Sequence, residues 1–379
     1  MSALDASGVD QCGHRDRPRR GGPARRRDRR VYLRSHPVLF PLLALLRRAP
    51  VLRLGRTVVV NDRQACADAL TRVPLDRTAA GTTGGTANRL EIDGTLFDQA
   101  GTAHRQTRRR VADGLGAAGV ARLRPVWTSL LDRELAPLAD GGEVEMVALA
   151  ALLAGATTAA LLELETDPVR LARAARDAAA ATAHEQLPGL PRPGAARSAR
   201  RAAERLTALT AAGADGPLAA MLAVAAVNTT VAALPRAVAW CADDDLWSAA
   251  ADARLRPALV TELLRVTAPS PLFPRVAAGS AELGRVRIRA GDKLILVARH
   301  AVDAHRRDPD ATDPAPPHVS QLVFGAGSHA CPGARLARAQ LDDLLAALAP
   351  YRPVVVRARV DRRAALPGWA TLTVRAGLR

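Results

Sequence analysis

Apolar residues recur along most of the chain at the three- and four-residue spacing of helices that bury one face. Residues 51–61 alternate and then run apolar around Gly55-Arg56, the pattern of two strands joined by a turn. A short helix follows over 63–72. Residues 75–98, with Gly81, Gly84, Gly85 and several threonines, predict a long loop of the kind that carries function. Helical spacing returns over 101–110. It continues through 118–185, around Leu123, Trp127, Leu130 and Leu131 and then residues 146–164, until P-G-L-P-R-P at 188–193 interrupts it. Residues 217–241 form the longest apolar run, helical in character, with Asn228-Thr229-Thr230 in its middle. Polar groups inside such a helix must find partners or do chemistry.

Toward the C-terminus, Glu262-Leu263-Leu264-Arg265 lies in a helix ended by Pro269 and Pro271, and a strand starts about Arg275. Residues 286–297 predict a hairpin turning through Arg289-Ala290-Gly291-Asp292, and residues 304–317 are irregular. A last helix carries Leu336, Leu341, Leu344, Leu345 and Leu348. Strands over 354–360 and 371–374 flank Leu366-Pro367-Gly368-Trp369. The whole predicts a chain dominated by helix, with a few short strands. Residues 1–34, rich in Arg, Gly, Asp and Pro without apolar periodicity, predict disorder.

Charge and cysteine content narrow the class. The formal net charge is +17; ten arginines against four aspartates in residues 1–34 leave +6 there, and the other +11 is spread over the body. Without aromatic interleaving or a nucleic-acid-binding module, this argues against nucleic acid and for an acidic protein partner. Cys12, Cys66, Cys241 and Cys331 show no paired spacing, so neither a disulfide framework nor a zinc site is indicated, and a cytoplasmic setting is expected. No run is read as long enough to span a membrane. Arg29-Arg30 before an apolar stretch has the look of a twin-arginine signal. No small-residue cleavage site follows, and the stretch reads as a helix of the fold.

Chemistry concentrates at Phe324-Gly325-Ala326-Gly327-Ser328-His329-Ala330-Cys331-Pro332-Gly333-Ala334-Arg335-Leu336-Ala337-Arg338. Three glycines and a proline bracket one cysteine just before a helix, whose N-terminus offers a thiolate positive potential. This stretch resembles the haem-ligand loop, F-x-x-G-x-x-x-C-x-G, of the cytochrome P450 haem-thiolate monooxygenases in its bacterial form, and the resemblance extends over about residues 35–379.

The resemblance implies a single, mainly α domain over 35–379, a triangular prism of helices with a small β-rich lobe and a short first helix over 37–48, built around one b-type haem (iron protoporphyrin IX), with Cys331 as the proximal iron ligand and Phe324 and Gly333 shaping its loop. His104 and Arg108, four residues apart on one helix face, then match the family's H-x-x-x-R. Together with Arg275 and His329 they would bind the haem propionates through charge-assisted bonds. Glu262 and Arg265 match the buried E-x-x-R pair; the third, basic member expected near residues 308–320 is not evident, His318 being the one candidate. The central helix matches A-G-x-[D/E]-T-[T/S] only in part. Thr229 is kept, Ala226 stands for the glycine and Asn228 for the acid.

The family's acid–alcohol pair relays protons, and an amide cannot titrate. Two enzymatic readings therefore stay open. One is a monooxygenase that oxidises a small organic substrate, of the secondary-metabolite kind, with O2 and electrons from NAD(P)H through a reductase and a ferredoxin. The other is a haem-thiolate enzyme of altered chemistry: oxidative coupling, desaturation, rearrangement or peroxide use. A haem-binding or recruitment protein without turnover is the alternative outside enzymes. Arg335 and Arg338 are candidate contacts for an acidic ferredoxin.

Overall fold

The computed structural model describes residues 22–85, 95–186, 194–211 and 215–377. The proline-rich break at 188–193, Cys12, most of the segment expected to be disordered, and residues 86–94 of the long loop lie outside them. The described helices are α1 (Pro23–Ser35), α2 (Leu39–Leu46), α3 (Arg63–Thr71), α4 (Gly101–Leu115), α5 (Ala117–Leu135), α6 (Met146–Leu161), α7 (Pro168–Gln186), α8 (Ala195–Thr210), α9 (Gly216–Asp243), α10 (Trp247–Ala251), α11 (Arg256–Thr267), α12 (Ala298–Ala301), α13 (Pro317–Ser320) and α14 (Ala334–Leu348).

Helix α9 forms the axis. Asp215 caps it by accepting from the Leu218 N–H, and Leu218, Val227, Val231, Leu234, Val238 and Trp240 are buried along it. Its neighbours α6, α7, α8 and α11 pack around it. By length and composition α9 would cross a membrane, its most apolar window having a mean hydropathy of 1.8, so the expectation that no run reaches that length is corrected. Asn228, Thr229 and Thr230 interrupt the run, but the Ala, Leu and Val on either side of them keep its mean high. In the fold 56% of that window is buried within the protein, which gives the apolarity a role in the core.

The β lobe is a five-stranded sheet of order β1-β2-β8-β5-β3, built from β1 (Val51–Leu54), β2 (Thr57–Val60), β3 (Leu75–Asp76), β5 (Phe273–Ala277) and β8 (Lys293–Leu296). A second sheet joins β4 (Glu143–Glu145), β10 (Trp369–Arg375) and β9 (Val354–Val360). The hairpin expected over 286–297 does not form. Strand β7 (Val286–Ile288) turns back through Gly284, at φ 59°, onto β6 (Ala281–Leu283), while β8 leaves to lie between β2 and β5. Leu294 and Leu296 are fully buried there, and burial between two partners outweighs the local turn signal.

The disorder expected up to residue 34 is also corrected, because α1 starts at Pro23. Its buried stripe is Ala24, Asp28, Val31, Tyr32 and Ser35, helically spaced with a carboxylate in the middle. Asp28 Oδ1 accepts from Arg236 Nε (2.8 Å) and Nη2 (2.6 Å), and its Oδ2 accepts from Arg299 Nη2 at 2.7 Å. Hydrophobic periodicity cannot reveal a helix docked through a buried ion pair. Arg29 and Arg30, read beside a signal-like stretch, lie inside this helix.

Candidate functional site

The cysteine loop folds as its glycines permit. Gly325 and Gly327 sit at φ 74° and 71°, the left-handed region that disfavours side chains, and a Cβ on Gly327 would press on the Leu70 carbonyl at the end of α3. The Cys331 N–H donates to the Phe324 carbonyl at 2.7 Å, closing the loop three residues before α14 begins at Ala334. Cys331 is exposed, yet it lies among enough protein atoms that burial pushes its thiol above the ordinary range. The Gly333 N–H, Arg108 and Arg338 pull the other way. The helix N-terminus alone therefore does not ionise this sulfur, whereas a metal ion bonded to it would. Arg338 lies half-buried 4.7 Å over the Phe324 ring, where burial lowers its pKa and the charge on Cys331 raises it. Of the two docking candidates only Arg335 is exposed, and Arg338 belongs to the environment of the sulfur.

The predicted basic residues converge. His104, 3% exposed on α4, stacks on His329 with ring centroids 3.9 Å apart. Burial and then the charges of Arg108, Arg77 and Arg105 lower the pKa of His104; burial and then Arg77, His104, Arg275 and Arg108 bring His329 down to about 3. On β5, burial and Arg77 bring Arg275 down to about 10, and its Nε is buried without a partner. No described carboxylate pairs with Arg77, Arg108 or Arg275. Such a cluster suits a bound dicarboxylate, and with Cys331 nearby it fits a haem: sulfur for the iron, basic groups for the propionates. Arg77 was missed in the sequence because it lies in the long loop with no motif around it.

Helix α9 presents Thr229, whose hydroxyl donates to the Ala225 carbonyl at 2.8 Å and so leaves its lone pairs available. Asn228 Nδ2 donates to the Val224 carbonyl (2.8 Å) and, across to α7, to the Ala175 carbonyl (3.2 Å). Both acceptors are carbonyls, which fixes the orientation of the amide. Beside it a cavity of about 20 Å³, room for one water, is lined by Arg176, Asn228, Ala232, Leu366, Gly368 and Trp369.

Behind the loop, Glu262 and Arg265 are wholly buried and paired at 2.9 and 2.6 Å. Arg265 also donates to the carbonyls of Val302, Arg307 and Asp308. In place of a third basic side chain, the Ala315 N–H donates to Glu262 at 3.0 Å, and His318 is exposed. A backbone donor has no sequence signature, so this partner could not be read beforehand.

No family model matches the chain. It is 39% identical over 98 residues to nocardicin C N-oxygenase of Nocardia uniformis subsp. tsuyamanensis, covering 25% of each protein. It is 32% identical over 169 residues to putative cytochrome P450 140 of Mycobacterium tuberculosis, 42% of this chain and 38% of that one. The chain thus matches well under half the length of these relatives. Its fold matches the crystal structure of P450BioI in complex with an acyl-carrier-protein-ligated fatty acid, with a TM-score of 0.74 at 18% identity over 89% of this chain and 98% of that one.

Proposed function

We propose that the chain is a member of the cytochrome P450 family, as its partial matches to P450 relatives and its P450 fold support, and that it is a haem-thiolate monooxygenase oxidising a small organic molecule of the secondary-metabolite kind. Electrons would come from NAD(P)H through a reductase and an acidic ferredoxin, in the cytoplasm. The observation that carries this reading is the pairing of Cys331 with a basic cluster that holds no carboxylate among the described residues. The family implies haem b, which Cys331 would ligate at iron and His104, Arg108, Arg275 and His329 would hold by the propionates; bound there it supplies dioxygen activation.

The remaining work falls to the chain. Arg338 and the Gly333 N–H stabilise negative charge on the sulfur. Phe324 and the loop glycines hold that sulfur at the start of α14. The Thr229 hydroxyl donates to the Ala225 carbonyl and keeps its lone pairs free for a donor at the polar break in α9, and Asn228 holds α7 against it. Because Asn228 cannot titrate, protons come from solvent or substrate. That residue also favours the second reading, in which the product is a coupled, desaturated or rearranged compound. Exposed Arg335, in a groove beside the cysteine loop with Pro316 and Gln321, suits an acidic redox partner.

The test is the reduced carbon-monoxide difference spectrum, then substrate-dependent oxygen uptake with a surrogate ferredoxin system. A thiolate-type band that Cys331→Ser abolishes, with oxygen uptake and an oxygenated product, is expected. A band unchanged in Cys331→Ser would sink the ligand assignment. A normal band without turnover on any substrate or with peroxide would favour a haem-binding protein. Cys66 and Cys241 are buried, with thiols pushed up, and replacing either should leave the band alone.

A further inference from the structure

Strand β3 pairs antiparallel with β5, Leu75 opposite Ala277 and Asp76 opposite Val276. Arg77 directly follows the last paired residue of β3, and Arg275 directly precedes that residue's partner on β5. The strand end thus brings the two together, close enough that, after burial, the charge of Arg77 lowers the pKa of Arg275. Like charges on neighbouring strands repel, and here both arginines are half-buried, where water screens them less. Neither finds a compensating anion among the described residues. The side chain of Arg275 donates from Nη1 to the adjacent Pro274 carbonyl, and its Nε is buried and unpartnered.

The placement of Arg77 is built into the fold. The Thr82 hydroxyl donates to the Arg77 carbonyl at 3.0 Å, and Gly84 packs on that carbonyl so closely that a Cβ would overlap it. The charge of Arg77 also reaches the stacked His104 and His329, which places it in the basic cluster beside the cysteine loop.

We propose that Arg77 and Arg275 form a cross-strand clamp on one carboxylate of the haem, making Arg77 a cofactor-anchoring residue and leaving a like-charge repulsion in the chain when haem is absent. The proposal rests on the haem-thiolate reading. It has an unusual signature: removing Arg77 weakens the loaded protein and strengthens the empty one.

The experiment follows haem transfer from the holoprotein to excess apomyoglobin, for wild type, Arg77→Met and Arg77→Lys, each loaded with haem or with haem dimethyl ester. Arg77→Met should lose haem about ten- to a hundred-fold faster, the equivalent of one charge-assisted hydrogen bond, with Arg77→Lys between it and wild type. The dimethyl ester, lacking carboxylates, should leave wild type and Arg77→Met at the same rate. In the haem-free chain, Arg77→Met should raise the thermal midpoint.

Equal haem loss from wild type and Arg77→Met overturns the clamp. So does equal acceleration for haem and its diester, which would mark a merely structural role. Unchanged haem loss with weaker spin-state binding of carboxylate-bearing substrates also overturns it, in favour of a substrate carboxylate. If wild type shows no thiolate band, the haem-thiolate reading itself fails; a normal band with haem loss unaffected by Arg77→Met removes the clamp alone.

Discussion

At residue 228 an amide makes contacts that a carboxylate could not. The Asn228 amide nitrogen donates to two carbonyls, one of them on α7, whereas an ionised carboxylate would face both as acceptor against acceptor. Asn228→Asp should therefore lower stability by about 1–3 kcal/mol, seen as an earlier urea midpoint. Product formed per NAD(P)H consumed then separates the two chemistries. Coupling kept or improved with the same hydroxylated product supports the ordinary monooxygenase, and loss of the native product supports altered chemistry. Arg108 contributes its charge to a cluster with surplus positive potential. Arg108→Ala should lower haem occupancy, at a cost on the order of 1.5–3 kcal/mol, read as the ratio of Soret to protein absorbance. Unaltered occupancy would remove it from the propionate site.

Among the elements, α1 shows how a polar segment joins a core. Asp28 lies between Arg236 and Arg299, all three 4% exposed or less, and the Arg299 guanidinium sits 4.8 Å over the Tyr32 ring. Arg25 with Asp308 and Arg27 with Asp243 add partly exposed pairs along the same helix. Removing one member of a buried ion pair strands its partners without compensation. Asp28→Ala should cost about 3–5 kcal/mol, a far larger shift in urea midpoint than Arg25→Ala, whose exposed pair contributes at most about 1 kcal/mol. Similar midpoints for the two variants would mean that α1 is not docked through Asp28.

For the molecule as a whole, the buried histidines set an acid limit. His300, bonded through Nδ1 to Asn61 Oδ1 at 2.7 Å, is brought down to about 3 by burial first and then by His305 and Arg299. His305 is brought down to about 4 by burial and then by Arg306 and Arg47. Both are neutral in the fold while the unfolded chain takes up protons near pH 6.5. Unfolding thus becomes favoured as pH falls below about 6.5, and this loss runs on until the folded-state values near 3 and 4 are reached. The urea midpoint should be lower at pH 5 than at pH 7, and His300→Asn should flatten the slope. The basic surface sets a second whole-molecule property. If the partner is the acidic ferredoxin proposed above, turnover at limiting ferredoxin should fall steeply with salt, since exposed charges are screened beyond about 8–10 Å at ordinary ionic strength; salt-independent turnover would point to peroxide use or a different partner surface.

The sequence by itself determined what depends on short-range pattern. The cysteine loop and its glycines, the His104/Arg108 spacing, the Glu262/Arg265 pair, the apolar central helix and most strands follow from residues a few positions apart, where backbone geometry and side-chain period are fixed. Tertiary structure decided whatever depends on a partner far along the chain. Helix α1 is held by arginines more than two hundred residues away, and β8 chose β2 and β5 over its neighbour β7. The third contact of Glu262 is a backbone N–H, and Arg77 reaches the basic cluster from the end of β3, a strand paired with β5 about two hundred residues later. The physical reason is common to all four: a charge, a hydrogen-bonding group or a strand edge is satisfied by whatever the fold brings beside it, and local periodicity carries no record of that neighbour.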